Sequence, residues 1–155
     1  MILDELKTCV GQEIGVSDWI AIDQLRIGVF AECTEDRQWI HTQPERARAE
    51  SPFGTAVAHG FLTLSMLVHF QKSCGAYPSD AESIINYGLN SVRFIHPVAS
   101  GERVRTRVTL QDMHERPNGS WQMTFSNVTE IEKQIRPAMA AENVMLIYRN
   151  NPQGA

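Results

Sequence analysis

The chain has 155 residues, 18 acidic against 14 basic, and a formal charge of −4, a length that suits one domain spanning 1–155. With 43% hydrophobic and 21% charged residues it has the composition of a soluble globular protein, and no basic stretch is present to bind nucleic acid through its phosphates. No apolar run reaches the roughly 18 residues of a membrane helix, and Met1-Ile2-Leu3-Asp4-Glu5 lacks the basic and then apolar regions of a signal peptide, so no membrane partner and a cytoplasmic location are expected.

Helical signals come first along the chain. Asp23 is placed as an N-cap, with Ile22 and Ile27 flanking it as a hydrophobic staple, and the helix it opens is expected to run to about Thr34. Thr42-Gln43-Pro44-Glu45 reads as a capping box with proline in the first turn, opening a short helix near 43–50 that Ser51-Pro52-Phe53-Gly54 ends. From Val57 to Phe70 the chain is apolar on nearly every side, and no charged residue lies between Gly54 and Lys72. A helix of that kind must be wrapped by other structure. Its polar residues Thr63, Ser65 and His69 read most simply as core positions, the hydroxyls bonding back to the preceding turn.

The second half has the period of strands. Asn86 to Phe94 makes one. Val104, Thr106, Val108 and Leu110 alternate with Arg103, Arg105, Arg107 and Thr109 in the next. Pro117-Asn118-Gly119 carries a turn signal, after which Trp121, Met123 and Phe125 alternate with Gln122, Thr124 and Ser126, and Ala138 to Tyr148 adds a further strand. These elements predict an α+β domain, an antiparallel sheet of four or five strands curled around one central helix. Arginines 93, 103, 105 and 107 form a basic edge, read either as a solvated strand face or as a site for a phosphate-bearing ligand.

Several chemistries lack their residues. Cys9, Cys33 and Cys74 are odd in number and widely spaced, with neither a disulfide framework nor a CxxC knuckle, and read as partly buried free thiols. The five histidines (41, 59, 69, 96 and 114) never take the spacing of HExxH, so no metal is expected, and phosphate loops and a GxSxG elbow are absent. What remains is Asp36 and His41. Their spacing would put them about 140° apart on a helix, so only a folded loop could bring them together as an acid/base pair. Equally, they read as a loop aspartate bonding nearby amides and a histidine ahead of a helix cap. Gly60, near the start of the apolar helix, could present a bare backbone amide to a carbonyl oxygen, or could simply let helix and sheet approach closely.

Phe30-Ala31-Glu32-Cys33-Thr34-Glu35-Asp36-Arg37-Gln38-Trp39-Ile40-His41, then Pro52-Phe53-Gly54 and Ala58-His59-Gly60-Phe61-Leu62-Thr63-Leu64-Ser65, resembles the MaoC-like dehydratases, most closely the NodN-type branch of small (R)-specific enoyl-CoA hydratases. Val92-Arg93-Phe94-Ile95-His96-Pro97-Val98 and Gly101-Glu102 match a later strand and turn, and the resemblance covers about residues 17–150. It implies a hot-dog fold, a homodimer, and hydration of trans-2-enoyl-CoA to (3R)-3-hydroxyacyl-CoA without a metal or redox cofactor, coenzyme A being part of the substrate. By position, Asp36 and His41 are the implied acid/base pair and Gly60 the implied oxyanion donor. Substrate contacts are expected from Gln38, Trp39, Phe53, His59, Phe61 and Arg93. The chain departs from the family's pattern at Gln38, often asparagine, and at Val68, a serine in some members. An acyl-CoA thioesterase of the same fold would carry Asp or Glu on the central helix, and residues 55–72 have none; a non-catalytic acyl-CoA-binding protein is the other alternative.

Overall fold

A computed structural model describes residues 1–149, and residues 150–155, the end of the expected domain, lie outside it. In chain order the elements are α1 (Leu3–Leu6), a 3-10 turn (Lys7–Cys9), β1 (Glu13–Val16), β2 (Ile20–Ala21), α2 (Gln24–Thr34), α3 (Trp39–Thr42), α4 (Pro44–Glu50), α5 (Gly60–Ser65), α6 (Leu67–Ser73), β3 (Ser83–Phe94), β4 (Arg103–Glu115), β5 (Trp121–Ile131) and β6 (Met139–Tyr148). The strands make one six-stranded antiparallel sheet in the order β1-β4-β5-β6-β3, with β2 also on β4.

Alternation on β4 sets which face the sheet buries. Val104, Thr106, Val108 and Leu110 are fully buried, while Arg103, Arg105 and Arg107 turn outward to Glu132, Glu130 and Glu13 at 2.6–3.0 Å. These three arginines of the expected basic edge are thus a solvated, charge-paired face. The Asn118-Gly119 signal sits in the hairpin between β4 and β5, where Gly119 takes φ 78°, a backbone that only glycine adopts freely. β5 continues five residues past the expected Ser126 because polar residues on its inner face are paired: the Thr106 and Thr129 hydroxyls meet at 2.9 Å.

The central helix differs from expectation in three ways. It starts at Gly60, not Val57, because Val57 and Ala58 are held extended by the carbonyls of Ile40 (3.1 Å) and Val98 (2.8 Å). It is also broken at Met66, where the Ser65 hydroxyl donates to the Phe61 carbonyl (2.7 Å) and competes with the helical ladder. Nor is it buried all round. Leu62, Thr63, Leu67, Phe70 and Gln71 face the sheet, but Phe61 is 67% and Val68 38% exposed, and Ser65 and His69, expected in the core, are exposed as well. The buried Gln71 amide donates to Asn127 (2.9 Å) and Asn143 (2.8 Å) on the sheet, and receives the Tyr77 hydroxyl, which fixes how far along the sheet α6 sits.

Residues before the resembling stretch also pack: Leu3 and Leu6 are fully buried with Val108, Phe125 and Ile147. The Asp23 cap forms as expected, its carboxylate accepting from the Arg26 amide (2.8 Å), and Ile22 and Ile27 lie in one core cluster. The capping box at Thr42 does not form. The Thr42 hydroxyl instead bonds back to the carbonyls of Arg37 (3.1 Å) and Gln38 (3.2 Å), and α4 starts at Pro44 behind Gln43. Cys9, Cys33 and Cys74 are free thiols, Cys9 and Cys74 partly buried as expected but Cys33 exposed near the end of α2. No helix among the described residues is long and apolar enough to cross a membrane.

Candidate active site

Helix α2 stops where Glu35 takes a left-handed conformation, φ 61°, and the two-pronged pair of Arg37 with Glu32 (2.8 and 2.9 Å) ties the turn back to α2. Asp36 sits in that turn. The expected loop then contains one helical turn, α3, whose His41 and Thr42 amides return to the Gln38 carbonyl. That turn carries His41 inward to 8% exposure, while the Asp36 side chain stays 56% exposed. Gln24 on α2 donates to the His41 carbonyl (2.7 Å) and locks the two segments together.

The hydrogen bonds define both imidazole tautomers. His41 Nδ1 lies 2.6 Å from the Val57 carbonyl, which can only accept, so Nδ1 carries the hydrogen and Nε2 keeps a lone pair. Burial holds the His41 pKa below its ordinary value, opposed by the Val57 bond and by Asp36. His59, the N-cap residue of α5, is 3% exposed. Its Nε2 donates to the Asp36 backbone carbonyl (2.9 Å) and lies 3.9 Å from the Asp36 carboxylate. The two imidazoles stack with centroids 3.8 Å apart at 26°, and Phe30 packs on His59 at 5.1 Å. His59 Nδ1 is buried without a hydrogen-bond partner among the described residues.

Gly60 opens α5, so its amide is a first-turn donor with no intrahelical acceptor. A Cβ on Gly60 would lie 2.9 Å from the Phe94 ring, so the close approach of β3's last side chain independently favours glycine here. His41 and Gly60 meet at a cavity of about 290 Å³ whose walls include Phe53, Thr63, Phe94, His96 and Val98. Because α5 has only six residues, the electrostatic asset is the amide itself more than a helix dipole.

The expected site residues therefore separate. Asp36, His41 and His59 converge, one donor atom of each lying within 4.8 Å of the others. Phe53 lines the cavity. His59 stands behind His41 and does not face the cavity. Trp39 lies under the Arg46 guanidinium at 4.4 Å, Gln38 is an exposed residue at the head of α3, and Phe61 projects outward against Phe94 at 5.8 Å. Arg93 is exposed and donates to the adjacent Val92 carbonyl. Within this chain those four do not line the cavity. Thr63, Phe94 and His96 do, and the sequence reading missed them as site residues; Thr63, three residues after Gly60, had at least the helical spacing to suggest it.

Asp36, His41 and His59 have the chemistry of metal ligands, but their arrangement fits a metal poorly. Lone pairs lie in the ring planes, and rings stacked at 26° cannot both aim at one ion about 2.1 Å away. His59 would also have to release the Asp36 carbonyl. What the geometry suits is proton transfer: a neutral buried imidazole with a free Nε2, a neighbouring carboxylate, an apolar cavity and a backbone donor.

Comparison with known proteins gives the family. Residues 5–134 match the model of the MaoC like domain. The chain is 47% identical over 152 residues to nodulation protein N of Rhizobium meliloti, covering 97% of this chain and 93% of the relative. It is 43% identical over 141 residues to 3-hydroxyacyl-thioester dehydratase Z of Mycobacterium tuberculosis, covering 91% and 92%. Its fold matches the crystal structure of a MaoC-like dehydratase from Rhodospirillum rubrum with TM-score 0.78 at 20% identity, over 97% of this chain and 99% of that one. The chain belongs to the MaoC-like dehydratases, hydro-lyases built on the hot-dog fold.

Proposed function

We propose that this protein is an (R)-specific enoyl-CoA hydratase that adds water to trans-2-enoyl-CoA to give (3R)-3-hydroxyacyl-CoA. The observation that carries the reading is the buried His41, its Nε2 free and its pKa held down by burial, lining an apolar cavity with Gly60 and lying within 4.8 Å of an Asp36 carboxylate oxygen. A relative 43% identical is named as a dehydratase of 3-hydroxyacyl thioesters, the reverse of the same reaction.

Water lies between the Asp36 carboxylate and His41 Nε2. As its oxygen bonds to C3, one O–H bond breaks and His41 Nε2 takes that proton, while the C2=C3 electron pair moves toward the thioester oxygen. The Gly60 amide meets the charge gathering there, a contribution of about 3 kcal/mol for one such donor. The imidazolium, stabilised by Asp36, returns the proton to C2 on the same face, so that the elements of one water are added and no metal or redox cofactor takes part. Holding Nδ1–H on the Val57 carbonyl keeps His41 in the one tautomer that can do this.

The assembly proposed is a homodimer. Among the described residues β3 is a 12-residue edge strand paired only with β6, and it exposes Ile85, Tyr87 and Leu89 beside the outward Phe61 and Val68. An apolar edge of this kind is normally covered, and a second copy would bring its own Phe61 and Arg93 near the shared face.

Purified protein given crotonyl-CoA, followed by loss of enoyl absorbance and by free-thiol release, tests the reading. Loss of absorbance without thiol supports it; thiol release marks a thioesterase, and binding without either change marks a non-catalytic carrier.

A further inference from the structure

One polar side chain of the cavity has no part in the chemistry above. Thr63 is 3% exposed, lines the cavity with His41 and Gly60, and its hydroxyl makes no hydrogen bond among the described residues. The neighbouring Ser65 shows the ordinary alternative, its hydroxyl donating one turn back to Phe61 (2.7 Å). Thr63 has the matching acceptor, since the His59 carbonyl receives the amides of Leu62 (3.1 Å) and Thr63 itself (3.3 Å), yet its hydroxyl does not use it. Its oxygen is not sealed inside the protein, as Gln24 Oε1 and His59 Nδ1 are, but opens onto the cavity that Thr63 lines, where a ligand atom can accept from it.

Gly60 and Thr63 are three residues apart on α5, hence on one face, and helical side chains lean toward the N-terminus. The Thr63 side chain is thereby carried back toward the first-turn amide of Gly60. An enolate oxygen has more lone pairs than a single N–H can satisfy. We propose that Thr63 is a catalytic residue whose hydroxyl is the second donor to the substrate's thioester oxygen, completing with the Gly60 amide the place where enolate charge collects. The inference rests on the hydratase reading and deepens it.

The test is Thr63→Val, which keeps shape and branching and removes only the hydroxyl. Turnover of crotonyl-CoA should fall about 100-fold, the size usual for one such donor, with KM little changed and Thr63→Ser restoring most of the rate. The melting temperature should stay close to wild type, because valine keeps the shape and the hydroxyl has no bond within the described residues to lose, so the loss should be confined to turnover. With carbonyl-labelled crotonyl-CoA bound to the slow His41→Gln protein, adding Thr63→Val should move the carbonyl stretch back toward its solution frequency. Should the double variant not fold, Thr63→Ala in the same background gives the same reading. A Thr63→Val enzyme within about threefold of wild-type turnover, or an unmoved carbonyl frequency, overturns the proposal. Wild-type protein that hydrates no enoyl thioester defeats the hydratase reading and this one with it, whereas active wild type with an equally active valine variant defeats this one alone.

Discussion

Gly60→Ala separates two reasons for a glycine that coincide in this structure. The added methyl would lie 2.9 Å from the Phe94 ring, against an ordinary carbon contact near 3.5–4 Å, so the ring must retreat by about 0.5–1 Å. Overpacking usually costs about 1–3 kcal/mol. Phe94 is 45% exposed and can swing outward, which puts the cost near the lower limit, and alanine returns up to about 1 kcal/mol of helix propensity. The two nearly cancel, and the melting temperature should stay within about 4 °C of wild type. Turnover per folded molecule should nevertheless fall by a factor of about 30 or more, because the methyl crowds the amide that meets the thioester oxygen. A displaced Phe94 could also slow the reaction, so the deciding protein is Gly60→Ala combined with Phe94→Leu, assayed with crotonyl-CoA beside each single variant. Relieving the ring should leave the loss in place. If the double variant regains the turnover of Phe94→Leu alone, Gly60 serves packing only and the oxyanion assignment is wrong.

Asp36→Asn and His41→Gln should each remove most hydration while circular dichroism and melting stay close to wild type; more than about a tenth of wild-type turnover would disqualify His41 as the proton-transfer group or Asp36 as the carboxylate that holds the water and stabilises the imidazolium. Because burial lowers the His41 pKa and the neutral form is the base, kcat/KM should hold through neutral pH and fall only as pH drops through a value below the ordinary 6.5 or so; a limb centred above that value would contradict the assignment. Stability follows the same sign: the contribution of neutral His41 is complete above the unfolded-state value and is lost as pH falls through the folded one, which urea titrations at stepped pH would read. Light scattering at micromolar concentration should give twice 17.4 kDa, and Tyr87→Lys on the apolar edge should shift it toward monomer; a wild-type monomer would dismiss the dimer.

Strands were legible because alternation is local: Val104 to Leu110 carried their burial on their face. The ends of β4 and β5 were not, since Thr129 and Asn127 are buried through partners on other strands that no single strand reveals. The short β1 and β2 lack enough residues to show a period, and their place on β4 is set by pairing across the fold. At the site, the motif match singled out Asp36, His41 and Gly60, but the tautomer of His41 depends on Val57, sixteen residues on. His59 looked like a substrate contact because it adjoins Gly60; only the fold shows it holding the Asp36 turn from behind. Thr63 hid among the apolar residues of a helix whose break at Met66 and half-open face come from Ser65 and from the exposed edge beside it.

The most direct test of the account is the stereochemistry of one product. Crotonyl-CoA turned over by the protein in deuterated water, with the product resolved by chiral chromatography and NMR, should be (3R)-3-hydroxybutyryl-CoA carrying one deuterium at C2 on the face that received the hydroxyl. The (3S) product, deuterium on the opposite face, or free coenzyme A in its place would contradict it.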